Sequence, residues 1–69
     1  MARLALPLQF RRERAALDVI RGHSLFTIGA LAVETPDGWR VVIDTAKPAA
    51  VCRYLAQHMP GVTWEQSEQ

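Results

Sequence analysis

The sequence predicts a single small α+β domain with the element order β-α-β-β-α-β, a ferredoxin-like antiparallel sheet with two helices on one face. Two observations lead to this prediction. Two segments with helical apolar periodicity alternate with β-type runs, and a proline-aspartate-glycine turn joins the two central runs. The 69 residues are enough for one hydrophobic core. An open alternative omits one terminal strand and leaves a three-stranded sheet with two helices.

The first strand and first helix are predicted from a change of period near residue 8. Leucines alternate with other residues over positions 4–8, which is typical of a strand with one buried face. Over residues 9–21 the apolar side chains recur at helical spacing instead. We expect a strand that ends at Pro7, then this helix, with Gly22 as its C-terminal cap.

A hairpin is predicted from two β-rich runs, residues 25–35 and 39–45, which flank Pro36-Asp37-Gly38. A three-residue loop would place Thr35 opposite Trp39, and counting outward gives the remaining pairs. The pairs expected on the core side are Val33–Val41 and Leu31–Ile43, and those on the open side are Glu34–Arg40 and Ala32–Val42.

The last third of the chain predicts a second helix and a short final strand. Pro48 fits the first turn of this helix, and Cys52 lies on its apolar stripe, where we expect a buried small side chain. Residues 60–61 end the helix and residues 62–65 have strand composition. We therefore expect one domain over residues 1–66 and a polar tail over 67–69 that frays.

Composition and charge restrict the class of protein. With 49% hydrophobic and 22% charged residues the chain is globular. The net charge is only +1, but the charges are distributed unevenly. Residues 1–23 contain five arginines and two acidic residues, whereas residues 24–69 contain three basic and five acidic residues. The molecule is therefore expected to be polarised, with its positive end at the first helix.

The expected compartment is the cytoplasm. Cys52 is the only cysteine and cannot form an intramolecular disulfide. Charged residues at positions 11–14 interrupt any apolar leader, and no apolar run approaches the roughly 20 residues of a membrane helix. We expect no membrane contact.

No catalytic, cofactor-binding or metal-binding site is expected. Cys52 and His58 would point about 120° apart on a helix, so they should not form a nucleophilic pair. His23, Ser24 and Asp44 include the residue types of a hydrolytic triad, but nothing in their spacing brings them together. Paired cysteine or histidine spacings of zinc sites and glycine-rich phosphate loops do not occur.

What remains is a surface for a macromolecular partner. Three groups of residues are candidates: the basic side of the first helix, an aromatic pair one turn apart on the second helix, and a terminal tryptophan. They are Arg11, Arg12, Arg14, Arg21, Tyr54, His58 and Trp64.

These candidates predict a non-catalytic binding module that occupies a surface of a protein partner. Its small size suggests an accessory or inhibitor protein of the phage or mobile-element type. The alternative is a nucleic-acid-binding domain that uses the basic side of the first helix. RNA binding on the open face of the sheet is not expected, because its central strands offer no aromatic side chain there. A core this small also favours a homo-oligomer.

Overall fold

The computed structural model describes residues 1–68 and contains a four-stranded antiparallel sheet and two α-helices. The elements in chain order are β1 (Ala2–Ala5), α1 (Glu13–Gly22), a 3-10 turn (Leu25–Ile28), β2 (Ala30–Thr35), β3 (Gly38–Thr45), α2 (Pro48–His58) and β4 (Glu65–Glu68). The strand order is β2-β3-β1-β4, and every neighbouring pair is antiparallel. The prediction of a small α+β domain with an antiparallel sheet and two helices is confirmed, and the sheet has four strands and not the alternative three.

The core lies between one face of the sheet and the two helices. Alternate residues of β1 and β3 point to this core face, because successive side chains of a strand alternate between faces. The side chains of the central cluster are all buried, and they are Leu4, Leu6, Ala16, Ile20, Leu25, Val41, Ile43 and Leu55. Both helices therefore cover the same face, and we call the other one the open face.

The first helix is shorter than its apolar pattern predicts. It begins at Glu13, four residues later than expected, because Phe10 is extended and pairs with β3. The Phe10 N–H donates to the Trp39 carbonyl at 2.8 Å, and the Trp39 N–H donates to the Phe10 carbonyl at 2.7 Å. At the other end, the left-handed residue is Ser24, with φ of 55°, and not Gly22, which is the last helical residue.

The segment after α1 is a 3-10 turn and not the start of a strand. The Thr27 hydroxyl donates to the Ser24 carbonyl at 2.8 Å, and Gly29 ends the turn with a φ of 81°. A left-handed glycine reverses the chain direction where an extended residue would continue it. The turn buries Leu25 completely and leaves Phe26 exposed, so β2 begins only at Ala30.

The predicted hairpin register is wrong by one residue. The loop contains two residues, so Thr35 lies opposite Gly38, Glu34 opposite Trp39 and Val33 opposite Arg40. Because side chains alternate, this shift places every residue of β2 on the opposite face from the prediction. The alanines of β2, and not Leu31 and Val33, now face the helices.

The pairing of Phe10 with Trp39 explains the observed register. It directs the backbone polar groups of Trp39 away from β2, so Trp39 cannot be the hydrogen-bonded residue that closes the hairpin loop. Gly38 takes that position with a φ of 134°, and the Thr35 hydroxyl donates to its carbonyl at 2.7 Å. The predicted pair Glu34–Arg40 is consequently separated, with its members on opposite faces.

The second helix has the predicted start, but Cys52 is exposed and is not part of the buried stripe. The Thr45 hydroxyl accepts a hydrogen bond from the Lys47 N–H at 3.0 Å just before this helix. The last strand lies three residues later than predicted. Ser67 and Glu68, which we expected to fray, therefore pair with β1, while Gln69 lies outside the described residues.

Candidate functional site

The open face of the sheet carries an ion pair between its two central strands. Arg3 lies opposite Asp44, and its Nε and Nη2 atoms donate to the two carboxylate oxygens at 2.8 and 3.0 Å. This two-point geometry is the strong form of an arginine–carboxylate pair. The hydrogen bonds lower the pKa of Asp44 below its ordinary value and raise that of Arg3. The pair links β1 to β3 and is a structural feature of the sheet.

The Arg3–Asp44 pair predicts a pH-dependent contribution to stability. A carboxyl group with a lowered pKa in the folded state stabilises the fold above its unfolded pKa of about 3.9, and the contribution is lost as the pH falls through the folded value. Asp44→Asn should therefore lower the melting temperature at pH 7, and the difference from wild type should vanish in strong acid. Thermal melts followed by circular dichroism at several pH values measure this. Asp37→Asn, in the exposed hairpin loop, is the control and should show no such change; a constant Asp44→Asn difference down to pH 2 would contradict the assignment.

Arg40 also belongs to the open face. Its Nη2 atom donates to the Leu6 carbonyl at 3.1 Å and to Glu65 Oε1 at 3.2 Å, so its acidic partner comes from β4 and not from Glu34. The described residues of this face include no aromatic side chain. The stacking platform on which sheet-binding proteins hold RNA bases is therefore lacking over residues 1–68.

The four arginines of the candidate basic surface are all exposed and lie around α1. Arg11 and Arg12 precede the helix, Arg14 lies in its first turn and Arg21 in its last. In the part of the chain that the structure describes, none of them forms an ion pair or a side-chain hydrogen bond, in contrast to Arg3 and Arg40. Arg11, Arg12 and Arg14 are consecutive or nearly so, and we call these three the arginine cluster.

The aromatic pair of α2 has a structural role. The rings of Tyr54 and His58 stack with centroids 4.0 Å apart. The Tyr54 hydroxyl lies 3.2 Å from Thr27 Oγ1 and donates to the Ser24 carbonyl at 3.3 Å, which ties α2 to the 3-10 turn. Tyr54 is half-buried while His58 is exposed. The pair belongs to α2, whereas the arginine cluster lies at the start of α1, and His58 is the accessible member of the pair.

Trp64 precedes β4 and packs against α2. It is half-buried and lines a hollow of about 260 Å³ together with Cys52 and Val62. Its indole N–H is buried and has no acceptor among the described residues. Trp64 thus packs partly against the core, and its remaining exposed surface borders Cys52.

A concave surface beside α1 was not predicted from the sequence. A groove of about 530 Å³ runs between α1 and β2 at the edge of the sheet. Most of its lining is apolar, and a charged residue lies near each end of its helical wall; the lining residues are Glu13, Leu17, Ile20, Arg21, Phe26, Ala30, Leu31 and Ala32. Phe26 is 62% exposed and Leu31 is 53% exposed. We call this feature the edge groove.

The edge groove was missed because the register and the 3-10 turn were missed. The predicted register places Leu31 in the core, and the β-rich run predicted over residues 25–35 includes Phe26. One signal in the sequence points to the observed arrangement. Ala30 and Ala32 are small enough for a helix to pack closely above them, and the wall of the groove includes the larger Leu17 and Ile20 of α1.

The other chemistry-bearing residues do not converge. Asp44 is held by Arg3 on the open face, whereas the Ser24 carbonyl is bonded to α2 on the core side, so they cannot form a triad with His23. Residues 1–68 contain no cluster of three or more metal-ligating side chains. Nor does any helix within the described residues have the length and apolar character to cross a membrane.

Comparison with family models, with curated proteins and with solved structures finds no match to this chain. The functional argument therefore depends on the surfaces described above.

Proposed function

We propose that this protein is a non-catalytic binding module whose arginine cluster contacts an acidic surface of a protein partner. The observation that carries the proposal is the presence of three exposed arginines, none with an ion-pair partner among residues 1–68, at the N-terminal end of α1. Stability of the isolated chain does not account for this placement.

A cationic residue at the start of a helix is electrostatically unfavourable. The N-terminal end of a helix carries a partial positive charge, and a like charge there costs about 0.3–1 kcal/mol. Arg12 is the N-cap residue and makes no capping hydrogen bond through its side chain, and Arg14 lies in the first turn. Glu13 offsets part of this charge. An incoming carboxylate would relieve the repulsion and meet the uncapped N–H groups, which supports an anionic binding partner.

The charge pattern favours a protein over a nucleic acid. Glu13 and Asp18 lie among the arginines on the same helix, and a continuous phosphate backbone along α1 would meet these carboxylates. The whole chain has a net charge of only +1, whereas a dedicated nucleic-acid-binding domain usually has a clear basic excess. A protein partner can place its acidic groups individually opposite the cluster.

Reversing the charge of the cluster should abolish the interaction without unfolding the protein. Arg11→Glu combined with Arg14→Glu is expected to weaken partner binding at least tenfold, because attraction becomes repulsion at two positions. The free energy of unfolding should change by less than about 1 kcal/mol, since both side chains are exposed. Affinity purification from a host extract with quantitative mass spectrometry, followed by titration calorimetry with the purified partner, measures the effect.

The matched control is Arg53→Glu, which reverses an exposed arginine on α2, away from the cluster. It should retain the partner as wild type does. If the double variant binds like wild type, the arginines are only a solvated surface, and His58 and Trp64 become the next residues to test. Binding that survives nuclease treatment of the extract identifies the partner as protein.

The second candidate function is nucleic-acid binding through the same arginines, which the density of positive charge around residues 11–14 favours. This alternative makes a distinct prediction about salt. Phosphate contacts release counterions, so affinity for a labelled oligonucleotide would fall steeply between 50 and 200 mM salt, by roughly tenfold or more for even a few contacts. Fluorescence anisotropy with labelled single- and double-stranded oligonucleotides tests it directly.

The setting we propose is the cytoplasm, where a lone exposed cysteine stays reduced. A small module without catalytic residues acts by covering a surface of another protein, which is how an accessory or inhibitor protein of a phage or mobile element would work. The partner recovered by affinity purification decides between these roles.

A further inference from the structure

At the β2 edge of the sheet, backbone groups have no hydrogen-bond partner among residues 1–68. The polar groups of Trp39 bond to Phe10, and the Val41 carbonyl accepts from Leu6, so these residues of β3 point away from β2. In an antiparallel pair of strands, two residues that lie opposite each other either direct their backbone N–H and C=O groups toward each other or both direct them away from the partner strand. Their partners on β2, Glu34 and Ala32, therefore direct their own N–H and C=O groups outward, as does Ala30 two residues along.

The two edges of the sheet differ in a way that distinguishes β2. Natural edge strands are protected against pairing by charges, prolines or irregular backbone. The strand β4 has the sequence Glu-Gln-Ser-Glu, which is polar throughout and has an acidic residue at each end. The strand β2 is longer, has the sequence Ala-Leu-Ala-Val-Glu-Thr and has Glu34 as its one charged residue. Only β2 combines a free edge with an apolar surface, since Leu31 is exposed and the edge groove lies beside it.

We propose that β2 pairs with β2 of a second copy of this chain to form a twofold homodimer with a continuous sheet. In the register that this symmetry allows, Ala32 lies opposite Ala32 of the second copy, and Ala30 lies opposite Glu34 of the second copy. These are the residues whose backbone N–H and C=O groups point outward, so each group can form a hydrogen bond with the second copy. On the open face, Leu31 comes to lie beside Val33 of the second copy, which covers its exposed side chain.

The charges of the edge groove match those of a second copy. The helix α1 connects β1 to β2, two strands that run in the same direction, so α1 runs antiparallel to β2. Glu13 lines the groove near one end of α1 and Arg21 near the other, about 12 Å apart along the helix. A twofold axis through Ala32 reverses the second helix, which brings Glu13 of each copy toward Arg21 of the other. The two charged residues that line the groove are thus complementary under this symmetry and would repel in a parallel arrangement.

A weak but specific dimer would need a modest share of the surface of this chain. A strand of six residues spans about 20 Å. The smaller specific interfaces bury about 600 Å² on each partner, which is roughly one eighth of the 4614 Å² of accessible surface of this chain. The strand edge, Leu31 and the groove with Phe26 lie side by side and supply a contiguous surface. Arg11 and Arg14 are not among the lining residues of the edge groove, so this inference does not depend on the proposed function.

Sedimentation velocity of the purified full chain from micromolar to millimolar concentration tests the dimer. The expected result is a reversible monomer–dimer equilibrium that Leu31→Lys shifts to monomer, because the charge would be buried beside Val33 of the second copy. Leu8→Lys is the matched control, since Leu8 is equally exposed at 56% but lies outside β2, and it should still form the dimer. Circular dichroism confirms that both variants are folded. A wild type that stays monomeric at millimolar concentration, or a dimer that Leu31→Lys leaves intact, overturns the proposal.

A charge exchange distinguishes the twofold arrangement from other modes of association. Glu13→Arg alone and Arg21→Glu alone should each weaken the dimer about tenfold, because the symmetry repeats the pair. The combined variant Glu13→Arg/Arg21→Glu should restore the wild-type dissociation constant. If the combined variant is no better than either single one, the charges do not meet and the proposed symmetry is wrong. If a foreign protein, and not a second copy, occupies β2, the purified chain remains monomeric in all variants.

Discussion

Replacing Leu25 with alanine is expected to unfold most of the protein at room temperature. Leu25 is completely buried in the central cluster although it belongs to a 3-10 turn. Truncation of a buried leucine costs about 2–5 kcal/mol, through lost transfer free energy and the cavity that remains. A core in a chain of this size rarely supplies more than about 3–5 kcal/mol in total. Urea titrations followed by circular dichroism would measure the loss of stability.

The control for Leu25→Ala is the same change at Leu8, which is more than half exposed. It removes the same atoms without leaving a buried cavity, so the free energy of unfolding should change by no more than about 0.5 kcal/mol. Equal effects of the two substitutions would show that the 3-10 turn is not part of the core. If only Leu25→Ala lowers the free energy of unfolding, the 3-10 turn, and not a longer β2, supplies this side chain to the core.

The type of a secondary-structure element was predictable where the residue pattern of one short segment was enough to indicate it. Alternating leucines predicted β1, and Pro48 with the following apolar stripe predicted α2 at its observed start. The two central strands were predicted because β-branched residues flank a turn. Local sequence is sufficient in these cases because the interactions that fix each element are those between neighbours in the chain.

The register of the hairpin was not predictable from the hairpin itself. Its sequence fits both a two-residue and a three-residue loop, and each gives one apolar face. The backbone bonds between Phe10 and Trp39 select the first, and these residues are far apart in sequence. The same pair explains why α1 begins late, since Phe10 fits the apolar arc of a helix but is used as an extended residue. One long-range contact therefore accounts for both errors.

Of the two candidate surfaces, the arginine cluster was predictable from the sequence and the edge groove was not, because the groove depends on the hairpin register. The arginine cluster can be read from the sequence because exposure of arginine is the default and three of them fall within residues 11–14. The edge groove depends on which residues of β2 face α1. The observed register places Ala30 and Ala32 there, whereas the predicted register places Leu31 and Val33 there. The apolar stripe of α2 predicts a buried Cys52, but its side chain is exposed and borders the hollow that Val62 and Trp64 also line.

Two separate surfaces lie on or beside α1, and they have different chemistry. The arginine cluster is hydrophilic and positive, whereas the edge groove is mostly apolar with opposite charges near its two ends. A dimer through β2 would display two arginine clusters related by the twofold axis, which would raise the avidity for a partner that is itself repetitive.

Gly38→Ala is expected to destabilise the fold by roughly 3 kcal/mol. Gly38 has a φ of 134°, which side chains of L-residues rarely adopt, and an added Cβ would lie 2.6 Å from the Phe10 carbonyl oxygen. That oxygen cannot move freely, because it accepts the Trp39 N–H and the two residues are bonded in both directions. The substitution therefore has to break the pair that fixes the hairpin register or shift the backbone around it. Chemical denaturation measures the change in the free energy of unfolding.

Gly61→Ala separates steric conflict from backbone strain in this prediction. Gly61 also has a positive φ, of 84°, but an added Cβ there would meet no atom within 4 Å. It should cost about 1 kcal/mol, the conformational penalty of a left-handed residue with a side chain. The excess loss in Gly38→Ala over Gly61→Ala then measures the contact with Phe10. If the two variants are equally stable, the backbone around Phe10 yields without cost, and the Phe10–Trp39 pair cannot be what holds β2 and β3 in register.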